Sequence, residues 1–218
     1  MSLENKKTLE AYQKTANQYL LNSVEHNELD MAKAERKKAK LEDFIKRSFS
    51  TIPEGSKVLE IGSADGENAK YLESLGYKVT ASDVADDFIE AIKANGLEPI
   101  KFNAIEDEFL EKYFGIFCWR VFVHFTKEDA LTVIRKTYDA LEKDGIFIFN
   151  AINRETRSVD EEWVDFPGEY HMGIDRYYNY YNQADLDAMI AQTGYKIVDF
   201  HKEGGDENNK WLVYVLKK

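Results

Sequence analysis

Val58-Leu59-Glu60-Ile61-Gly62-Ser63-Ala64-Asp65-Gly66 is the stretch on which the reading turns. An apolar run ends in an acid and passes into a loop of small residues. Beyond that loop Ala69, Leu72 and Leu75 recur at helical spacing, with Gly76 as a stop signal. A strand feeding a helix through a glycine loop leaves free helix N–H groups at the bend. Gly62 and Gly66 there let backbone approach a ligand with no Cβ in the way. Glu60 sits at the carboxyl end of its strand, which is where open α/β sheets bind ligands. A second acid, Asp83, ends the next predicted strand, Lys78–Ser82, and can accept two hydrogen bonds from a ribose diol.

Downstream, short apolar runs keep alternating with amphipathic segments. A helix is predicted over Asp86–Asn95, a strand over Pro99–Phe102, a strand over Phe114–Trp119 and a helix over Lys127–Glu142. Asp144-Gly145 turns the chain into a fifth strand, Ile146–Ile152. Such alternation implies right-handed crossovers and a parallel sheet covered on both faces. The tail reads as a helix, Gln183–Thr193, then strands Lys196–His201 and Trp211–Leu216 about a polar turn through Gly204-Gly205-Asp206. These two should pair as an antiparallel hairpin at one sheet edge. Upstream, residues 1–50 read as a helical cap and 51–218 as the main domain. Leu9, Tyr12, Ala16, Tyr19 and Leu20 share one helix face, Leu41, Phe44, Ile45 and Phe49 another, and Lys33–Lys40 is a solvated face between them. Residues 153–182 are long for a connection and are expected to form a lid.

The composition bounds the function. Against 40 Asp and Glu stand 29 Lys and Arg, a net charge of −11 over 218 residues, which excludes a general nucleic-acid coat. At 44% hydrophobic and 13% aromatic the chain can bury a sizeable core. Its single cysteine, Cys118, cannot form an internal disulfide, and no Cys/His cluster has zinc-ligand spacing. With no apolar stretch near the roughly 20 residues of a spanning helix, a soluble cytoplasmic protein with no membrane partner is expected.

In these motifs the sequence resembles the class I S-adenosylmethionine-dependent methyltransferases of small-molecule type. Glu60, Gly62, Ala64 and Gly66 match the family's acid and three alternating glycines, with alanine for the middle one and Ser63 inside the loop. KVTASDVA (78–85) matches the ribose-binding strand end, which implies Asp83 as the diol acceptor with Val84 beside the adenine. Asn103-Ala104 falls where the family has an acid and a small residue near the adenine amine. FGIFCWRVFVHF (114–125), with Trp119 at its strand end, matches the fourth strand, Gly115 replacing a frequent acid. LEKDGIFIF (141–149) matches the turn into strand five. The resemblance implies a Rossmann-like doubly wound α/β sheet of seven strands, order 3-2-1-4-5-7-6, with strand seven antiparallel. It implies S-adenosylmethionine as cofactor, S-adenosylhomocysteine as product and a small-molecule acceptor. Tyr12 and Tyr19 then either close over the methionine end or pack in the core.

Methyl transfer from a sulfonium is an in-line displacement, so an enzyme works by orientation and by keeping the pocket dry. An acceptor that must lose a proton needs a base, and His124 is the candidate, with packing or helix capping as its other role. Arg120 faces either a cofactor carboxylate, an anionic substrate or a structural ion-pair partner. His26, His171 and His201 have no spacing that suggests a metal or a triad, and Cys118 reads as an inert core thiol. In 153–182, Trp163, Phe166, Tyr170, Tyr177, Tyr178, Tyr180 and Tyr181 lie among Glu161, Glu162, Asp165, Glu169 and Asp175. Aromatics edged with carboxylates suit an amine acceptor; a dimer interface or a sheet cover are the other uses. Two further functions compete: a nicotinamide-dependent oxidoreductase, whose fingerprint glycines would fall at Gly62, Ala64 and Glu67, and a non-catalytic interaction module on the same fold.

Overall fold

The computed structural model describes residues 1–165, 171–204 and 210–218, and of His26 and Asn27 the backbone only. Phe166, Glu169, Tyr170, the turn residues Gly205-Asp206 and the His26 side chain lie outside the described residues. Two helices, α1 (Leu3–Leu29) and α2 (Met31–Phe49), precede β1 (Lys57–Ile61), α3 (Glu67–Ser74), β2 (Lys78–Asp83), α4 (Asp86–Ala94) and β3 (Ile100–Lys101). Then come β4 (Tyr113–Cys118), a 3₁₀ turn at Phe122–His124, α5 (Lys127–Ala140) and β5 (Leu141–Asn153). The chain ends with β6 (Glu161–Val164), β7 (Arg176–Tyr181), α6 (Gln183–Ile190), β8 (Lys196–Glu203) and β9 (Trp211–Lys217).

The main sheet runs β3-β2-β1-β4-β5-β9-β8. Strands β1 to β5 are parallel, and β9 is antiparallel to both neighbours. With β8 and β9 as the sixth and seventh predicted strands, this is the doubly wound order expected. Register across the centre sets Glu60 beside Ala81 on one side and Phe117 on the other. The strand ends at Ile61, Asp83 and Cys118 therefore open on one crevice, at the switch point between β1 and β4.

One sheet face is covered by α5 and α6 and the other by α2 and α3. On the second face Phe44, Ile45 and Phe49 of α2 pack with Val58, Phe117 and Ile148, each burial contributing roughly 2 kcal/mol. Gly115 is explained here. A Cβ on it would meet the Phe49 ring at 2.7 Å and Val58 at 3.0 Å, so the strand position where an acid is frequent must be bare for α2 to dock. The end of α2 is thus packed into the core beneath the sheet.

Segment 153–182 departs from expectation. β6 and β7 form a hairpin, and β7 lies parallel beside the far end of β5, pairing Ile152 with Tyr180 and Asn153 with Tyr181. All six residues of β7 are buried. RYYNYY carries no apolar–polar alternation because both of its faces are covered.

Candidate functional site

The loop after β1 is held to β2 by its backbone. Gly62 and Ser63 N–H both donate to the Ser82 carbonyl at 2.9 Å, and Ser82 Oγ donates to the Glu60 carbonyl at 2.6 Å. Gly62 has φ +76°, and a Cβ on it would sit 2.4 Å from Val121 Cγ2. Gly66, at φ +84°, would place one 2.8 Å from Leu97. The expectation that these glycines leave room for a ligand is therefore corrected: the space at both is filled by the chain's own side chains. Ala64 also lies in the left-handed region, at φ 50°, which costs an L-residue roughly 1–2 kcal/mol. Ala64→Gly is expected to stabilise the protein by about 0.5–1 kcal/mol after glycine's extra unfolded-chain entropy is deducted. A thermal melt of both proteins checks this, and a lower midpoint in the variant would contradict it.

The two acids differ. Glu60 is buried, its Oε2 has no hydrogen-bond partner, and burial pushes its carboxyl up to about 7 despite the nearby Ser63 and Asn68 side chains. It does not line the cleft described next. Asp83 does. Its Oδ2 accepts from Ala64 N–H at 3.0 Å, and its Oδ1 from Val84 N–H at 2.7 Å and Ala85 N–H at 3.3 Å. Burial raises its carboxyl above the usual range, and those three N–H groups pull it back.

Above the strand ends lies a cleft of about 1490 Å³. Of the residues singled out from sequence, Tyr12, Tyr19, Gly62, Ser63, Ala64, Asp83, Val84, Asn103, Ala104, Trp119, Arg120 and His124 line it, whereas Glu60 and Gly66 do not. Its roof is α1 and α2. Tyr12 and Tyr19 pack edge-on to each other at 6.3 Å and flank Phe88 of α4, so closing the cleft and packing are one arrangement. Asn103 Oδ1 accepts from Ile105 N–H at 3.0 Å, so a local turn already uses that oxygen. Trp119 stacks on Phe117 at 5.5 Å. Arg120 takes φ 60°, its N–H donates to Asn150 Oδ1 at 2.6 Å, and its guanidinium lies 5.8 Å from the Trp211 ring centre.

His124 is not a free base. It is buried, its Nδ1 lies 2.7 Å from the Tyr177 carbonyl and its Nε2 lies 2.9 Å from the Tyr12 hydroxyl. A carbonyl only accepts, so Nδ1 carries the proton and Nε2 accepts from Tyr12. Burial, with the Arg176 charge, lowers the imidazole to about 3, so it is neutral near pH 7. Arg176 Nη1 in turn donates to the Tyr12 hydroxyl at 3.3 Å, and the guanidinium stacks over Tyr12 and Tyr178. His124 thus fixes Tyr12 in the roof. Sequence reading missed Arg176, and it missed Asn150, a buried amide inside the apolar run of β5 that lines the cleft. That break in the apolar run was the available signal.

None of the described residues of 153–182, the segment expected to form a lid, lines the cleft. Its aromatic faces are used by the chain's own cations, Lys7 over Trp163, Arg176 over Tyr178 and Arg157 over Tyr180. Its carboxylates Glu161 and Glu162 accept from the Tyr177 and Tyr180 hydroxyls. In these contacts the aromatic and acidic groups read as suited to an amine acceptor engage the chain's own side chains. His171 pairs with Asp165 at 2.9 Å and His201 with Asp199 at 3.4 Å. Cys118 is buried, which pushes its thiol up. Among the described residues no group of His, Cys, Asp or Glu could hold a metal ion, and no helix is long and apolar enough to cross a membrane.

A doubly wound sheet with an antiparallel seventh strand and an acid-flanked loop at the β1–β4 switch point defines the Rossmann-like α/β class. The chain belongs to the methyltransferase-domain family, which it matches over residues 33–199. Its structure is similar to magnesium protoporphyrin IX methyltransferase from Synechocystis PCC 6803, solved with bound SAM. That pair shares 10% identity over 100% of this chain and 98% of the other, at a TM-score of 0.73. It is also similar to the CcbJ methyltransferase of Streptomyces caelestis, at 16% identity, 79% and 87% coverage and a TM-score of 0.63. A S-adenosylmethionine-dependent methyltransferase from Clostridium acetobutylicum ATCC 824 gives 14%, 81% and 89%, and 0.64. At such identities the likeness is one of fold. No curated protein sequence matches the chain significantly.

Proposed function

We propose that this protein is a S-adenosylmethionine-dependent methyltransferase that methylates a small molecule by in-line transfer, with residues 1–50 as a cap on the catalytic unit 51–218. The observation that carries the reading is Asp83. Its Oδ2 accepts one loop N–H and keeps a lone pair for a further donor, its Oδ1 accepts the other two N–H groups, and the side chain lines the cleft. A vicinal diol offers two donors at that spacing. The cleft volume fits the cofactor as well.

Bound S-adenosylmethionine supplies an electrophilic methyl group on a sulfonium. The chain's own residues do the rest. Asp83 holds the sugar, Val84, Asn103 and Ala104 border the base, and Gly62, Ser63 and Ala64 present backbone to the amino-acid tail. Tyr12 and Tyr19 exclude water, which preserves the alignment that an in-line displacement requires. Trp119, Arg120, Asn150 and Trp211 border the open end of the cleft, where the acceptor enters. His124, neutral and bonded to Tyr12, acts as a positioning residue.

Calorimetric titration tests this directly. Saturable heat with S-adenosylhomocysteine and none with NAD is expected. Preference for NAD would favour the oxidoreductase, and no binding of either the interaction module.

A further inference from the structure

Side chains alternate along β5, and Ile146 and Ile148 face α2, packed with Phe44, Phe117 and Val213. The same alternation puts Asn150 on that face, one step nearer the cleft. Asn150 pairs with Val213 of β9, is 1% exposed and lines the cleft. A buried amide at the end of an apolar row needs a reason, and half of the reason is structural. Its Oδ1 accepts the Arg120 N–H at 2.6 Å and so holds the left-handed turn, φ 60°, that follows β4. That contact also fixes which way the amide is turned, because an Nδ2 facing an N–H would be repelled.

Nδ2 is the other half. It donates to no described residue, yet it is not among the polar atoms sealed from solvent, so it opens on the cleft. The rings of Phe44, Trp119 and Trp211 line this end, with Arg120, Lys210 and Glu203 at its rim. From Asp83 on β2 the cleft crosses β1 and β4 to reach β5, roughly 14 Å at the usual strand spacing. That span leaves room for the amino-acid end of the cofactor and then for an acceptor. A fixed neutral donor in an aromatic frame suits a flat apolar molecule that carries an oxygen. An amine fits badly. If its nitrogen accepts from Nδ2, its single lone pair is spent and it cannot attack a methyl group. An anionic oxygen keeps lone pairs to spare after accepting.

We propose that Asn150 Nδ2 holds the reacting oxygen of the methyl acceptor, an oxyanion borne on a flat ring, as in a phenolate or an aryl carboxylate. This rests on the function proposed above and names the acceptor class for it. The oxygen bonds to the methyl carbon as the carbon–sulfur bond breaks, that bond's electron pair staying on sulfur. Anionic and sulfonium charges are both neutralised and no proton moves, so the transfer needs no base. His124, held by Tyr12 and the Tyr177 carbonyl, agrees with that.

Fluorine magnetic-resonance titration of the protein saturated with S-adenosylhomocysteine tests this with pentafluorophenolate, pentafluorobenzoate, pentafluoroaniline and pentafluorobenzene. One of the two anions should bind at least about tenfold tighter than pentafluorobenzene, the worth of one charge-assisted hydrogen bond. Which anion it is tells phenolate from carboxylate. In Asn150→Leu the ratio should fall to within about twofold of unity. Asn150→Asp keeps an oxygen for the Arg120 N–H and puts another where Nδ2 stands. At about pH 9, with that carboxyl ionised, it should take the ratio below unity, and it carries the test if the leucine variant does not fold. Each ratio is taken on one protein, so a general loosening of the loop cancels. Ratios unchanged in both variants, tighter binding of the aniline than of either anion, or no binding of any probe would overturn the assignment to Asn150. Failure of S-adenosylhomocysteine itself to bind would instead overturn the methyltransferase reading.

Discussion

Replacing Asp83 with alanine is expected to weaken S-adenosylhomocysteine binding by at least about 100-fold, the loss of two charge-assisted hydrogen bonds worth roughly 3 kcal/mol together. The carboxylate has two tasks that the variant removes at once. In the proposed complex it receives the sugar hydroxyls, and through Ala64 and Val84 N–H it ties the loop after β1 to the end of β2. Asp83→Asn separates them. The amide keeps one acceptor oxygen and the side-chain volume but loses the charge and the second acceptor, so its affinity should fall between wild type and alanine. Calorimetry gives the affinities, and a melt shows whether the fold has survived. Binding by Asp83→Ala within a few-fold of wild type would remove the nucleoside from this crevice.

The central sheet was legible because each crossover announces itself: apolar runs such as Val58–Ile61 end in glycine or acid, and helices such as Lys127–Ala140 show clear spacing. The position of Asp83 at the cleft was legible for the same reason, since the strand end that carries it opens on the crevice. Other features were not, for physical reasons. The glycines at 62 and 66 report a positive φ without saying what fills the space, and here Val121 and Leu97 fill it. Gly115 reads as a lost acid until Phe49, far away in sequence, is seen lying on it. The aromatic residues of β6 and β7 read as a ligand surface because such rings suit a cation whatever its source, and here the sources are Lys7 over Trp163, Arg176 over Tyr178 and Arg157 over Tyr180.

The buried histidine and the buried glutamate make opposite demands on pH, and this gives the second large effect. His124 is lowered to about 3 from the ordinary 6.5. Its contribution is therefore full above pH 6.5 and is lost as pH falls toward 3, about 2 kcal/mol of it by pH 5. Glu60 is raised from 4.5 to about 7. Its contribution is full below pH 4.5 and is lost as pH rises through 7, so on going from pH 7.5 to 5 it returns about 2 kcal/mol. In the ligand-free wild type the two nearly cancel. Single variants should uncover each slope. His124→Gln, which can still donate to the Tyr177 carbonyl and accept from Tyr12, should grow more stable than its own pH 7.5 value as pH drops to 5. Glu60→Gln should do the reverse. Urea unfolding at both pH values measures this. Parallel pH dependence in all three proteins would mean that neither side chain is held in the protonation state its burial imposes. A cationic ligand beside Glu60 should flatten the glutamate slope, because it supplies the positive charge that an ionised carboxylate there lacks.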